Sequence, residues 1–312
     1  MSRWGIIYCP KRGERHSQKH WERVRDYLAE REVEYDFVQS ESADSVGRLA
    51  AMLATNGYRR IVIVGGDSAL NRALNGILSL PDTAIRQEME LAVIPHGFIN
   101  DFAHYWGFME DDYKRAIDWI VGGRVRTVDV GFIEPAPDAE GEQPARRYFL
   151  NCVNIGLASD LISIHRTSQK WGVLRYANRS LRILFRRKER HITMHVNRDC
   201  VDRKVMNVCI GSCHGYGQTP NAVPYNGLLD VSVINHPDLR HLGQGLWLLA
   251  SGRFMNFKNV EVHRTRSRIV VDNAGGAPVS IDGLLCPDYA GRPLSVGILP
   301  EHIKFVIPPI SF

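Results

Sequence analysis

The residues of this chain best suited to chemistry gather in two short loops. The first, GGDSALN at residues 65–71, follows the β-branched run IVIV and opens a stretch with Leu70, Leu74, Ile77 and Leu78 at helical spacing. An apolar run of that kind reads as a strand buried on both faces, and the paired glycines break it where a tight strand-to-helix turn needs backbone freedom. Asp67 or Ser68 is placed to cap the first helical turn. A helix N-terminus behind a glycine turn carries partial positive charge and outward N–H groups, and phosphates bind such places. The same pattern also serves any αβ crossover in a parallel sheet. The second loop, PHGFIND at residues 95–101, leaves another apolar run, with Gly97, Phe98, Asn100 and Asp101 in it. Asn100 and Asp101 open a helix and suit its cap equally well. His96, His104 and His214 have no metal-ligand spacing and read as solvated side chains.

The elements that must hold these loops alternate. Strands are expected at residues 4–8, 33–38, 61–64 and 91–94. Helices are expected at 17–30, 43–55, from Leu70 onward, and at 112–121; the first three carry apolar stripes, and those at 43–55 and 112–121 are closed by Asn56-Gly57 and Gly122-Gly123. Such alternation implies a parallel, doubly wound sheet with ligands at the carboxyl ends of its strands. Both loops leave such ends, which makes them one shared site. After Arg124 the pattern changes to many short strands with turn signals, expected for an antiparallel β-sandwich. An apolar helix over residues 238–251 is expected to pack on that sandwich.

At 312 residues, 44% hydrophobic and 23% charged, the chain has the composition of globular domains and length for two of them. Its net charge of +5 is too small to argue for nucleic acid. The six cysteines are scattered without a CxxC pair, as expected of reduced thiols in a cytoplasmic protein. No run reaches membrane-spanning length, so any membrane contact is expected to be peripheral, on the inner face.

The two loops begin a series of ordered motifs that resembles the catalytic domain of bacterial diacylglycerol kinases and their lipid and sphingosine kinase relatives. The family's Gly-Gly-Asp-Gly-Thr-x-Asn-Glu is matched by residues 65–72, and its Pro-x-Gly-Thr-x-Asn-Asp-Phe by residues 95–102. Asn154-Ile155-Gly156 matches a strand motif, and residues 211–230 match a glycine-rich loop ending in Asp-Gly-Leu-Leu-Asp. Asp282-Gly283-Leu284 matches the family's Asp-Gly-Glu. The resemblance implies an α/β nucleotide domain over residues 1–125, a β-sandwich lipid domain over 126–299, and a last strand, 300–312, that returns to the first domain. It implies ATP and Mg²⁺ as cofactors, a nucleotide lying between the domains, and transfer of the γ-phosphate to the hydroxyl of a diacylglycerol-like or sphingoid lipid at a membrane surface. A homodimer is left open.

On that reading the nucleotide lies against Gly65, Gly66, Asp67, Ser68, Asn71, Gly97, Phe98, Asn100 and Asp101. Asp67 and Asp282 are the acidic groups for Mg²⁺ or proton handling. A structural metal falls to Asp230 and Asn226, and the lipid faces Gly156, Arg175 and Arg182. The last two belong to the basic stretch 171–190, which reads either as an amphipathic helix at an anionic membrane or as a solvated helix packed on the sandwich. Several departures fall on chemistry. Ser68-Ala69 replaces Gly-Thr, Phe98 replaces a threonine, and Leu284 replaces the glutamate that serves as general base. Asn226 removes one charge from the metal loop. These departures frame the alternative, a catalytically silent lipid- or nucleotide-binding relative. A third reading is a kinase for another small hydroxyl compound, since distant relatives with a Gly-Gly-Asp turn phosphorylate NAD or sugars.

Overall fold

A computed structural model describes residues 3–10, 15–136, 144–168, 188–235, 239–251, 253 and 256–309. Arg175 and Arg182 lie outside the described residues. The chain divides into one unit of Met1–Asp129 with Pro300–Phe312 and a second of Val130–Leu299.

In the first unit, β1 (Trp4–Tyr8), α1 (Arg15–Glu30), β2 (Tyr35–Gln39), α2 (Ser45–Thr55), β3 (Arg60–Gly65) and α3 (Asp67–Leu78) alternate as the sequence suggests. A short α4 (Thr83–Glu88), β4 (Glu90–Pro95), α5 (Asp101–Tyr105) and α6 (Tyr113–Gly122) follow. The strands run parallel in the order β2-β1-β3-β4, and the last residues of β16 (Leu294–Val306) pair in parallel with the start of β4. Residues 61–64 and 91–94 are buried at every position, as a sheet covered on both faces requires. Helices α2 and α3 cross at Gly47 and Gly76, where a Cβ on Gly76 would lie 2.1 Å from the Gly47 carbonyl oxygen. Residue 76 has no room for a side chain at that crossing.

The second unit is an antiparallel sandwich, the class expected from its many short strands. It contains the end of β5 (Val125–Pro135), β6 (Arg147–Phe149), β7 (Cys152–Gly156), α7 (Leu157–Ser168), β8 (Arg190–Val196), β9 (Asp199–Val205) and β10 (Asn207–Gly211). After these come β11 (Leu229–Ile234), α8 (Leu239–Ala250), β12 (Val260–Thr265), β13 (Ile269–Asn273), β14 (Val279–Ile281), β15 (Leu284–Leu285) and the start of β16. One sheet has the order β12-β11-β10-β7-β14-β15, and the other carries β16, β13, β8 and β9. Val153, Ile155, Val208, Ile210 and Val231 from the first meet Ile192, Met194, Ile269, Val271 and Val296 from the second in one core. Along α8, Leu248 is buried against Phe257, Ile234 and Val260, while Trp247 is exposed.

The helix crossing gives a direct test. Gly76→Ala is expected to lower unfolding free energy by roughly 1–3 kcal/mol in a denaturant melt, because backbone must move to admit the methyl group. Gly122→Ala at the end of α6, where a Cβ would meet nothing within 4 Å, is the control and is expected to be neutral or slightly stabilising.

Candidate functional site

The first loop is shaped by how closely it meets the second. Parallel pairing carries β3 and β4 to Gly65 opposite Pro95, so the two loops leave the same sheet edge side by side. A Cβ on Gly97 would lie 2.2 Å from Gly66 Cα, and one on Gly66 would lie 2.6 Å from the Ile99 carbonyl oxygen. No side chain fits between them. Backbone bonds then join the loops: Asp67 N–H donates to Ile99 O at 3.0 Å, and His96 N–H to Gly65 O at 2.9 Å.

Asp67 is the first residue of α3, one position inside its N-cap. Gly66 is the N-cap of α3 and makes no side-chain bond, while the Asp67 carboxylate turns across the gap. It accepts the N–H of Asp101 at 2.9 Å and of Phe102 at 3.3 Å, the first turn of α5. Sequence spacing favours a local cap, but a buried carboxylate takes whatever N–H donors the fold presents, and here those belong to α5. Asn100 likewise stands at the N-cap of α5 without capping it. Its Oδ1 accepts the Gly97 N–H at 3.0 Å and its Nδ2 donates to Gly97 O at 3.1 Å, so it braces the loop from inside.

The remaining expected residues divide. Asn71 is buried in α3, its Oδ1 accepting from Asn75 Nδ2 at 3.2 Å. Ser68 is exposed at the head of α3, and Phe98 is 65% exposed at the tip of the second loop. Gly65, Gly66, Asp67, Gly97, Asn100 and Asp101 thus form one cluster in the first unit. Asp282 belongs to the second unit. It is buried at φ +43°, in the left-handed region, where its carboxylate accepts the N–H groups of Leu150, Asn151 and Cys152 at 2.8, 3.0 and 2.9 Å. Asn151 Oδ1 in turn accepts from Gly215 N–H at 2.8 Å, tying the turn at Asp282 to the glycine-rich loop. The Tyr216 hydroxyl of that loop lies 3.5 Å from where a Gly283 Cβ would stand.

Two expectations are corrected. The Asp230 and Asn226 pair does not fit a metal: the Asp230 carboxylate is held by Arg264, and Asn226 Oδ1 accepts the Leu228 N–H at 2.9 Å. Among the described residues no group of three or more His, Cys, Asp or Glu is arranged to hold an ion. Gly156 is buried at φ +116°, where a Cβ would meet the Met206 carbonyl oxygen at 2.5 Å. His96 is not a solvated histidine: its ring stacks on His20 at 4.2 Å, and its Nε2 hydrogen-bonds the Ser17 hydroxyl at 2.9 Å, which itself bonds the Tyr8 hydroxyl at 2.9 Å. Nothing in the local sequence joins residues 8, 17, 20 and 96; the parallel order of the strands does. Burial pushes the thiol of Cys9, beside Gly65, up to about 11.

Comparison with known proteins gives a consistent answer. The family described as the diacylglycerol kinase catalytic domain matches residues 3–133, and the YegS C-terminal NAD kinase beta sandwich-like domain matches residues 153–307. A diacylglycerol kinase of Bacillus subtilis is 22% identical over 99% of this chain and 97% of its own length. One of Mycobacterium tuberculosis is 25% identical over 88% of this chain and 84% of its own. Among solved structures, a diacylglycerol kinase from Bacillus anthracis superposes with a TM-score of 0.68 at 16% identity, covering 99% of this chain and 97% of that one. Yeast NADH kinase complexed with NADH superposes at 0.56 with 9% identity, over 100% of this chain and 84% of that one. At such identities the two structures establish a shared fold.

The bridge from Asp67 is testable without any ligand. Asp67→Ala removes the acceptor from two N–H groups of α5 and is expected to cost about 1–3 kcal/mol of stability. Amide exchange at Asp101 and Phe102 is expected to accelerate beyond that at β3, and equal acceleration at both would contradict a local bridge.

Proposed function

Since this chain belongs to the diacylglycerol kinase catalytic-domain family, we propose that it is a lipid kinase that transfers the γ-phosphate of Mg²⁺-bound ATP to the hydroxyl of a diacylglycerol-like or sphingoid lipid. The observation that carries this reading is the side-chain-free contact of Gly66 with Gly97. It seats the second loop against the head of α3, where the helix dipole and the first backbone N–H groups favour anionic phosphate. Asp67 and Asn100 act there as positioning residues, since their polar atoms are engaged in holding the second loop. Phe98 offers an exposed aromatic face at the loop tip, suited to stacking on a base or to shielding the phosphates.

In the transfer itself, the lipid hydroxyl oxygen bonds to the γ-phosphorus, the bond to the β–γ bridging oxygen breaks, and ADP leaves. The hydroxyl proton passes to solvent or to a nearby acceptor. Phosphoryl transfer rests chiefly on positioning and charge neutralisation, so a chain with Leu284 in place of the glutamate keeps most of what the reaction needs. A positioned general base adds typically ~10²–10⁴-fold. Work on a bilayer substrate places the enzyme at a membrane surface, and no helix among the described residues is long and apolar enough to cross one. The basic stretch 171–190 would serve as the contact, on the cytoplasmic face.

Transfer of radiolabelled phosphate from ATP to diacylglycerol and to sphingosine in mixed micelles tests the proposal. The wild type is expected to label one lipid class slowly, and Leu284→Glu to raise kcat by up to ~10²-fold, with Phe98→Thr adding to it. Absence of lipid labelling by the wild type and by the double variant would overturn the assignment and leave a binding protein.

A further inference from the structure

We propose that Arg264 closes the turn at residues 226–230 with its own guanidinium, so that this turn, for which the family resemblance implies a divalent cation, is complete without metal. Asp230 on β11 faces Arg264 on β12 in register. The Asp230 side chain is 4% exposed, and a carboxylate so buried requires a cationic or hydrogen-bonding partner. Arg264 supplies a fork: Nε donates to Oδ1 at 2.5 Å and Nη2 to Oδ2 at 2.8 Å. Nη2 also reaches the Asn221 carbonyl oxygen at 3.1 Å, so one guanidinium spans the start and the end of the loop.

The rest of the turn agrees. A metal in this turn would draw on the side chain of residue 226, but Asn226 is neutral and spends its Oδ1 on the Leu228 N–H. That Asx turn leads into Gly227 at φ +68° and shapes the corner from within the chain. Both Asp230 oxygens are committed to one planar partner, and a divalent ion brought to them would face the positive charge of Arg264 at contact distance. The carboxylate in turn pushes the Arg264 pKa up, so the charge persists at every working pH. A guanidinium fork also fixes direction, which a spherical ion does not, so the register of β11 against β12 is set at the same point.

The test needs no nucleotide and is independent of kinase activity. Thermal melts of the purified protein are run in EDTA, in millimolar Mg²⁺ and in millimolar Ca²⁺. The wild-type Tm is expected to agree across all three to within ~1 °C, since an ion that does not bind the native state cannot stabilise it. Arg264→Ala with Asn226→Asp, which removes the fork and adds a carboxylate, is expected to melt lower in EDTA and to recover several degrees in Mg²⁺ or Ca²⁺. Arg264→Lys keeps the charge without the fork and is expected to melt lower while remaining indifferent to metal. If the double variant does not fold, calorimetric titration of the wild type with Mg²⁺ alone decides, with no heat of binding expected. A wild-type Tm or heat that responds to Mg²⁺, or a folded double variant that ignores it, would overturn the proposal.

Discussion

The candidate site depends on two backbones meeting where neither carries a side chain. Gly66 and Gly97 lie so close that a methyl group on either would sit inside the other loop. Everything nearby serves that contact. Asp67 reaches over it to the first N–H groups of α5, Asn100 braces the second loop from within, and backbone bonds from Asp67 and His96 close the seam. The result is a stiff strand-to-helix corner with a helix dipole behind it, which is what an anion-binding loop requires.

A buried aspartate holding a remote backbone recurs through the molecule. Asp67 ties the first loop to the second, and Asp282 gathers three successive N–H groups at residues 150–152. Asp129, fully buried, accepts the Glu301 N–H at 2.9 Å as the chain returns to the first unit. Each carboxylate satisfies amides that no regular ladder reaches, which is the demand a long chain with many crossings makes on its interior. Asp230 solves the opposite problem, since its own charge must be balanced, and Arg264 does so. Aspartates that look alike in a motif therefore divide into those that organise backbone and those that need a counter-charge.

That division also marks where the sequence stops being informative. The run at residues 61–64 and its glycine pair announce a buried parallel strand and its turn, because a strand buried on both faces has no polar alternation and favours β-branched residues. The sandwich is legible for a similar reason, as short alternating strands with turn signals have few other solutions. The destination of Asp67 is not legible: a helix-capping aspartate and one that caps a different helix have the same local sequence. Arg264 lies 34 residues beyond Asp230, and the four side chains Tyr8, Ser17, His20 and His96 are brought together only by strand order. Helices as short as α4 and α5 carry too few residues to show a period.

The joined glycine loops are proposed to hold a nucleotide. Calorimetric titration of Mg²⁺-ATP into the wild type and into Gly66→Ala, with folding of the variant checked by its melt, tests it most directly. Saturable binding by the wild type that the single methyl group abolishes is the expected result. Equal binding by both proteins would place the nucleotide elsewhere, and no binding by the wild type at millimolar ATP would contradict the account.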